Sequence, residues 1–433
     1  MDILFVILKV QAGFKEIGSP YRKIMAAAKE MKKDGAGGAS CVSCGACLSV
    51  CPAYRASFME RLAPRGKYAL LSGVSADIDP DGPLIHETIS ACLQCGACSA
   101  VCSAGVDTCA LVRRARSQAG PSSLVRMGLE LLDRGPVSGT GLALRLAGRL
   151  LSGLSPLLGM VQDKRGLTEE LPKGVKGLPR TASGPRTALF VGCVQNYLLQ
   201  DAAVAVMEFV PWGVEILEGQ GCCGLAALSA GMEDMALSQM ERNIEAFSDK
   251  GFDILLTGCA SCASMLKRYP KLLPDGHPMR AKAEALAGRV MEFSSLLAEM
   301  ARGRLPFSAQ GGPRAIQPHG GKNALQVPCH QRYGLGTIEG LKEAASLLGI
   351  EFDMELGCCG FGGTFFMRHK GLSETIRQEA IEECHRAGID TIVTTCSGCL
   401  LNWHLAQRTR SGPRPLHLAQ YLLNSQNGSH GRG

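Results

Sequence analysis

Aromatic residues are scarce in this 433-residue chain: they make up 5% of it, with two tryptophans. Long apolar runs are missing as well, and nothing approaches the roughly twenty residues a membrane-spanning helix requires. The N-terminal stretch MDILFVILKV comes nearest. It holds only about eight apolar residues, starts with an acid, lacks a basic leader and is followed by no small-residue cleavage site. These absences read as a soluble, cytoplasmic, reducing setting, with peripheral attachment at the inner face of the cell membrane left open. No G-x-G-x-x-G follows a strand-like segment and no G-x-x-x-x-G-K-[ST] occurs; GLGTIEG, residues 334–340, has the wrong glycine spacing. The chain is therefore expected to bind no flavin or nucleotide itself. Its net charge of +7 is mild and gathers between residues 113 and 186 and near the C-terminus, which argues against a nucleic-acid partner.

What the chain has is cysteine. There are 20, alongside 53 glycines and 46% hydrophobic residues, in a length that allows two or three domains. A chain of this size needs no disulfide staples, so the thiols are read as ligands. Nine lie in residues 41–109, none in 110–186, and eleven in 187–405.

The first group opens with CVSCGACLSVCP, residues 41–52, and repeats as CLQCGACSAVCS, residues 92–103. C-x2-C-x2-C-x3-C suits a cubane 4Fe-4S cluster, with the fourth cysteine of each run reaching the other cluster. By that ferredoxin pattern Cys41, Cys44, Cys47 and Cys102 hold one cluster, and Cys92, Cys95, Cys98 and Cys51 the other. Zinc is the competing reading, but it prefers separated pairs of ligands. Ser103 replaces the usual proline, which supplies no ligand. Cys109 is left over and is taken as a buried thiol. Between the runs, FMERLAPRGKYALLSG is expected to be helical, with Arg65, Gly66 and Lys67 read as solvated residues at a helix start.

The second group is a repeat. Cys193, Cys222, Cys223, Cys259 and Cys262 overlay Cys329, Cys358, Cys359, Cys396 and Cys399 at offsets of 136 and 137 residues. In each copy an apolar segment (TALFVGC, NALQVPC) precedes a helical one, a second strand runs into GCCG, a longer helix follows, and a third strand ends at C-x-x-C. Strand, helix, strand, helix, strand implies a parallel α/β unit, duplicated, with every thiol of both sets at or past a strand's carboxyl end. Five thiols exceed what one cubane or one zinc needs, and the adjacent pairs (Cys222, Cys223 and Cys358, Cys359) suit two metals of one larger assembly. Those four cysteines are also the candidates for any catalysis. Gly224 and Gly360 suit a sharp turn beside it. His330, His369, His385 and His404 lie near the second set and are read as hydrogen-bonding residues; Cys384 has no assigned role.

The expected fold is thus α+β and multidomain. An N-terminal extension (1–40) precedes a two-cluster domain (41–117), then a helical segment and linker (118–186). Two α/β lobes follow (187–270 and 323–410), joined by a connector (271–322) and ended by a tail (411–433). The Leu- and Arg-rich stretch 124–158 is read as a packing helix.

From Cys41 to about His404 the sequence resembles the CCG-domain (cysteine-rich domain) iron–sulfur proteins. These include the iron–sulfur subunit of glycolate oxidase, lactate-utilisation iron–sulfur proteins, and the cysteine-rich subunits of heterodisulfide reductase and of anaerobic glycerol-3-phosphate dehydrogenase. CCGFGGTFFMRH, residues 358–369, is similar to the lactate and glycolate members; TGCASCASMLKRYP, residues 257–270, to the other two. The stretch around residues 58–73 resembles their α-helical ferredoxin domain. The resemblance implies two cubane clusters and one or two noncubane 4Fe-4S clusters, one per five-cysteine set. It also implies a separate FAD-containing dehydrogenase subunit as donor and a quinone-linked membrane partner or another carrier as acceptor. Glycolate members often lack a cysteine of the final pair, whereas both pairs are complete here, so reduction of a thiol disulfide stays open beside electron transfer.

Overall fold

Residues 40–72, 83–134, 183–306, 321–407 and 412–427 are described by a computed structural model. They fall into two units that divide after Pro121. The first is helical throughout its described residues, with short helices at Ala46–Ser49, Pro52–Ser57, Pro64–Leu71, Pro83–Ser90 and Ala97–Ala100 and a longer one at Thr108–Ala119. Proline opens three of the short helices, where its missing N–H costs nothing. Asp107 caps the longest by accepting the Ala110 N–H at 3.0 Å. Leu71, Ile85, Ile89, Val112 and Ala115 form the core. Gly66 permits the helix Pro64–Leu71 to sit directly on the preceding turn, because a Cβ there would run into the Glu60 carbonyl.

The second unit is built on two parallel four-stranded sheets. The first holds β1 (Thr187–Leu189), β2 (Glu215–Ile216), β3 (Ile254–Thr257) and β4 (Val290–Glu292), in the order β2-β1-β3-β4. The second repeats it with β5 (Lys322–Gln326), β6 (Met354–Leu356), β7 (Ile389–Thr394) and β8 (Arg414–His417), in the order β6-β5-β7-β8. β3 is buried at every residue, as a strand covered on both faces must be. The start of each central strand is pinned alike: Asp253 accepts the Arg186 N–H at 2.8 Å, and Asp390 the Lys322 N–H at 3.0 Å.

The three-strand pattern read from sequence is therefore one strand short in each lobe. β4 lies in the segment read as a connector and β8 in the segment read as a tail. Both are short, and VME and RPLH carry no alternation that marks them. The helix Ser123–Arg134, in the stretch read as a packing helix, places Val125 and Leu129 in the first lobe's core. The rest of the stretch to residue 158 lies outside the described residues, as do residues 1–39.

The lobes are not separate bodies. One apolar core combines Phe190, Leu255 and Met265 with Ile392 and Trp403; another combines Leu189, Phe293 and Leu297 with Leu325, Leu341 and Tyr421. Helix Gln200–Phe209 packs on Leu418–Asn427, and its repeat counterpart Ile338–Leu347 packs on Phe293–Ala301. Each fully buried side chain of this kind contributes about 1.5–3 kcal/mol, so pulling the lobes apart is costly. Among the described residues no helix is long and apolar enough to cross a membrane.

Candidate metal centres

In the first unit both cysteine runs adopt the same backbone. Ser43 and Gln94 take left-handed φ values of 55° and 57°, and Gly45 and Gly96 follow at 80° and 83°. A short helix begins directly after each glycine. Non-glycine residues held left-handed store strain that a loop tolerates where function needs its shape. A cavity of about 20 Å³ is lined by Cys51, Cys92, Cys95, Cys98, Cys109 and Lys67 among others. Cys51 thus stands with the second run and not only with its own. Cys109 is no bystander: its thiol hydrogen-bonds Cys92 and Cys98. Those bonds, chief among the influences on Cys92, hold its thiol well below the ordinary range, while burial pushes Cys95 up to about 12.

Two basic residues here escaped the sequence reading. Lys67, read as solvated, is only 2% exposed and donates to the Leu62 carbonyl. Arg116 is also buried; its guanidinium caps the end of the helix Pro83–Ser90 through the Ile89 and Ser90 carbonyls (3.0 and 2.9 Å) and binds the Cys92 carbonyl at 2.7 Å. It thereby fixes the start of the second run. Arg65 pairs with Glu60 at 2.5 Å.

In the second unit parallel strands bring the cysteines to one edge of each sheet. Cys259 caps the helix Ala260–Leu272, with Cys262 in its first turn, and Cys396 and Cys399 repeat this around Ser397–Gln407. A helix N-terminus favours the thiolate. The adjacent cysteines interact with each other and each with a further neighbour: Cys222 faces Cys193 at 3.5 Å, and Cys223 lies beside Cys262. In the second lobe Cys359 and Cys399 sulfurs are 3.1 Å apart, and Cys358 accepts the Gly360 N–H at 3.4 Å. Cys329 stands 3.9 Å from His330 Nδ1.

The two sets also meet. Cys259 lies beside Cys396 across the lobes, so Cys193, Cys222, Cys223, Cys262, Cys259, Cys396, Cys399 and Cys359 form one continuous row of neighbouring sulfurs. Backbone and side chains brace the junction. Ala260 N–H donates to Thr395 O (2.9 Å), and His417 Nε2–H to Gly258 O (2.7 Å). Ser261 Oγ lies 2.9 Å from His330 Nδ1 and 3.1 Å from Cys396 Sγ. Burial pushes both His330 and His417 down to about 4, so each is a neutral hydrogen-bonding residue. Nearby, burial pushes the Glu292 carboxyl up to about 7, with Ser294 bonded to one oxygen. Among the described residues its other oxygen has no partner.

Contacts between sulfurs push neighbouring thiols in opposite directions. Cys222 and Cys259 accept from neighbours and are held low, whereas Cys193 and Cys262 donate and are pushed up. Buried anions crowded this closely require either the shared protons or a cation in their place, and soft thiolates suit copper(I), zinc or an iron–sulfur cluster. Among the described residues no three Cys, His, Asp or Glu side chains close on a single metal ion. All twenty cysteines are free of disulfides.

The loops themselves are clamped by residues with no counterpart in the other lobe. Asn243 accepts the Gly221 N–H (2.9 Å) and donates to Cys222 O (2.8 Å), while Tyr269 donates to Cys223 O (2.9 Å). In the second lobe Asn402 donates to Cys359 O (2.6 Å) and is held by Arg377 (2.8 Å). At the 137-residue offset Tyr269 becomes Ala406 and Asn402 becomes Met265. The glycines do repeat, at φ 90° for Gly224 and 81° for Gly360. A Cβ on Gly360 would lie 2.8 Å from the Ser373 carbonyl, and one on Gly224 3.3 Å from that of Ala236. Gly360→Ala is expected to lose about 1–2 kcal/mol to left-handed strain, more once the Ser373 contact is added, and to lower the iron bound by the second set. Gly224→Ala should do less. Thermal unfolding of the iron-free chains, with iron content of the loaded ones, checks this ranking; equal losses contradict it.

Two runs with ferredoxin spacing, matching a 4Fe-4S dicluster domain, put these free thiols to iron–sulfur use, and the chain is an iron–sulfur protein. Its particular kind follows from its domains. Residues 38–106 match a 4Fe-4S dicluster domain, and residues 187–267 and 323–403 each match the cysteine-rich domain, CCG. The chain is 27% identical over 423 residues to the "Probable glycolate oxidase iron-sulfur subunit" of Bacillus subtilis, covering 89% of this chain and 93% of that one. It is 28% identical over 249 residues to "Lactate utilization protein A" of Bacillus cytotoxicus, covering 56% of this chain and 99% of the other, with the same figures for the Bacillus thuringiensis protein of that name.

Proposed function

We propose that this chain is the iron–sulfur electron-transfer subunit of an FAD-linked 2-hydroxyacid oxidoreductase. It would accept electrons from a flavoprotein partner and pass them to a quinone or another carrier. The observation that carries this reading is the similarity along 93% of a protein named as a glycolate oxidase iron–sulfur subunit, joined to cysteine sets complete at every position. Cys41, Cys44, Cys47 and Cys102 would hold one cubane cluster. Cys92, Cys95, Cys98 and Cys51 would hold the other, a grouping supported by the shared cavity of the last four. The two five-cysteine sets would each hold a noncubane cluster. Bound clusters supply one-electron redox chemistry; the protein's own residues bury them, orient their ligands and set the charge around them.

Anaerobic purification tests this directly. Four loaded clusters correspond to about sixteen irons per chain, in brown protein that a 2-hydroxyacid bleaches only when the flavoprotein partner is added. Colourless zinc protein, or about eight irons, contradicts the assignment of the second unit. The contact between Cys259 and Cys396 favours one further reading, reduction of a thiol disulfide by two one-electron steps beside both sets. Turnover of a disulfide with a reduced dye and no flavoprotein would establish that reading and refute pure electron relay.

A further inference from the structure

We propose that Lys67 is the cation that stabilises the reduced state of the cluster held by Cys92, Cys95, Cys98 and Cys51, and so sets that cluster's potential apart from its neighbour's. This rests on the cluster reading above and deepens it.

A buried lysine is uncommon unless something negative repays its lost hydration. Lys67 is 2% exposed, yet among the described residues no carboxylate pairs with it, and the hydrogen bond it makes goes to the neutral Leu62 carbonyl. Burial pushes the Lys67 ammonium down, and the charges that counter this are those of Cys92, Cys51 and Cys98, with Arg116 opposing them as a second cation. It lines the same small cavity as these cysteines. Everything negative around Lys67 therefore belongs to one ligand set.

The first run differs. Cys44 is exposed, and the nearby Arg65, whose guanidinium reaches the Ser43 carbonyl at 3.4 Å, is neutralised by Glu60 at 2.5 Å. One cluster thus sits by a compensated cation near water, the other by an uncompensated cation away from it. Reduction adds one electron to a cluster and makes or breaks no bond. The added negative charge is attracted to a fixed cation, and more strongly where water is excluded. Net charge, hydrogen bonds to sulfur and solvent exposure are the protein's means of setting such potentials.

A purely structural role, tethering the Leu62 carbonyl, would leave the potential untouched, and the test separates the two. Full-length wild type, K67M, K67Q and K67R are loaded with iron and sulfide anaerobically. Each is titrated with dithionite and one-electron mediator dyes while cluster signals are followed by electron paramagnetic resonance. The cluster in question is the one absent from Cys92→Ser. Its midpoint is expected to fall in K67M and K67Q and stay near wild type in K67R, with the other cubane cluster unmoved. Iron-loaded K67M or K67Q with unshifted midpoints overturns the proposal, as does an equal shift of both clusters. If both uncharged variants lose iron while K67R keeps it, Lys67 serves assembly and the proposal is likewise overturned. Wild type that binds no iron sinks the cluster reading itself, a different outcome from any of these.

Discussion

Cys51→Ser is expected to remove about four irons per chain, the content of one cubane cluster, and to remove them from the second cysteine run and not from its own. The cavity that Cys51 shares with Cys92, Cys95 and Cys98 is the reason. The backbone contributes too: Cys51 caps the helix Pro52–Ser57, so the chain turns at that residue and leaves the loop that holds Cys41, Cys44 and Cys47. Three single variants decide it. The cluster surviving in C51S should match, in signal shape and midpoint, the cluster surviving in C92S, and should differ from the one surviving in C41S. If C51S instead resembles C41S, the runs are not crossed.

The second large effect is expected at the junction of the lobes. Cys259→Ser should remove the iron of the first five-cysteine set and also alter the spectrum of the second, because Cys259 lies beside Cys396 and the Ser261 hydroxyl bridges Cys396 and His330. Cys193→Ser makes the control. It lies at the far end of the sulfur chain, faces Cys222 and touches nothing in the second lobe's set. Its loss should empty the first set and leave the second set's signal unchanged. Iron content with paired optical and paramagnetic spectra measures both, and identical effects of the two substitutions would mean that the contact between sets carries no electronic consequence.

Much of this architecture was legible in advance, for reasons that differ by element. β1, β3, β5 and β7 each stop two to four residues before a cysteine of the repeat, so the repeated thiols announced them. The edge strands β4 and β8 were not announced, since three or four residues are too few for a period to show. Asp253 and Asp390 repeat at 137 residues and pin equivalent strands; the offset that revealed the cysteines would have found them too. Asn243, Tyr269, Asn402 and Arg377 carry no such mark, because each lobe ties down its paired cysteines with different residues. His417 lay in a segment read as a tail and turned out to hold the backbone beside Cys259.

The sequence by itself determined which residues could bind metal, in what groups, and that one group is duplicated. Ligand spacing is a local property: two or three residues between cysteines confine the loop whatever surrounds it. Tertiary structure alone decided which groups meet and which charges lose water. Cys259 and Cys396 stand 137 residues apart and touch only because two lobes share their cores. Lys67 follows a proline and an arginine at a helix start, where lysines ordinarily face solvent, and it is buried only because the helix Pro64–Leu71 turns that residue toward the second cysteine run. Burial is a property of the packed whole, and the electrostatics of these centres depend on it.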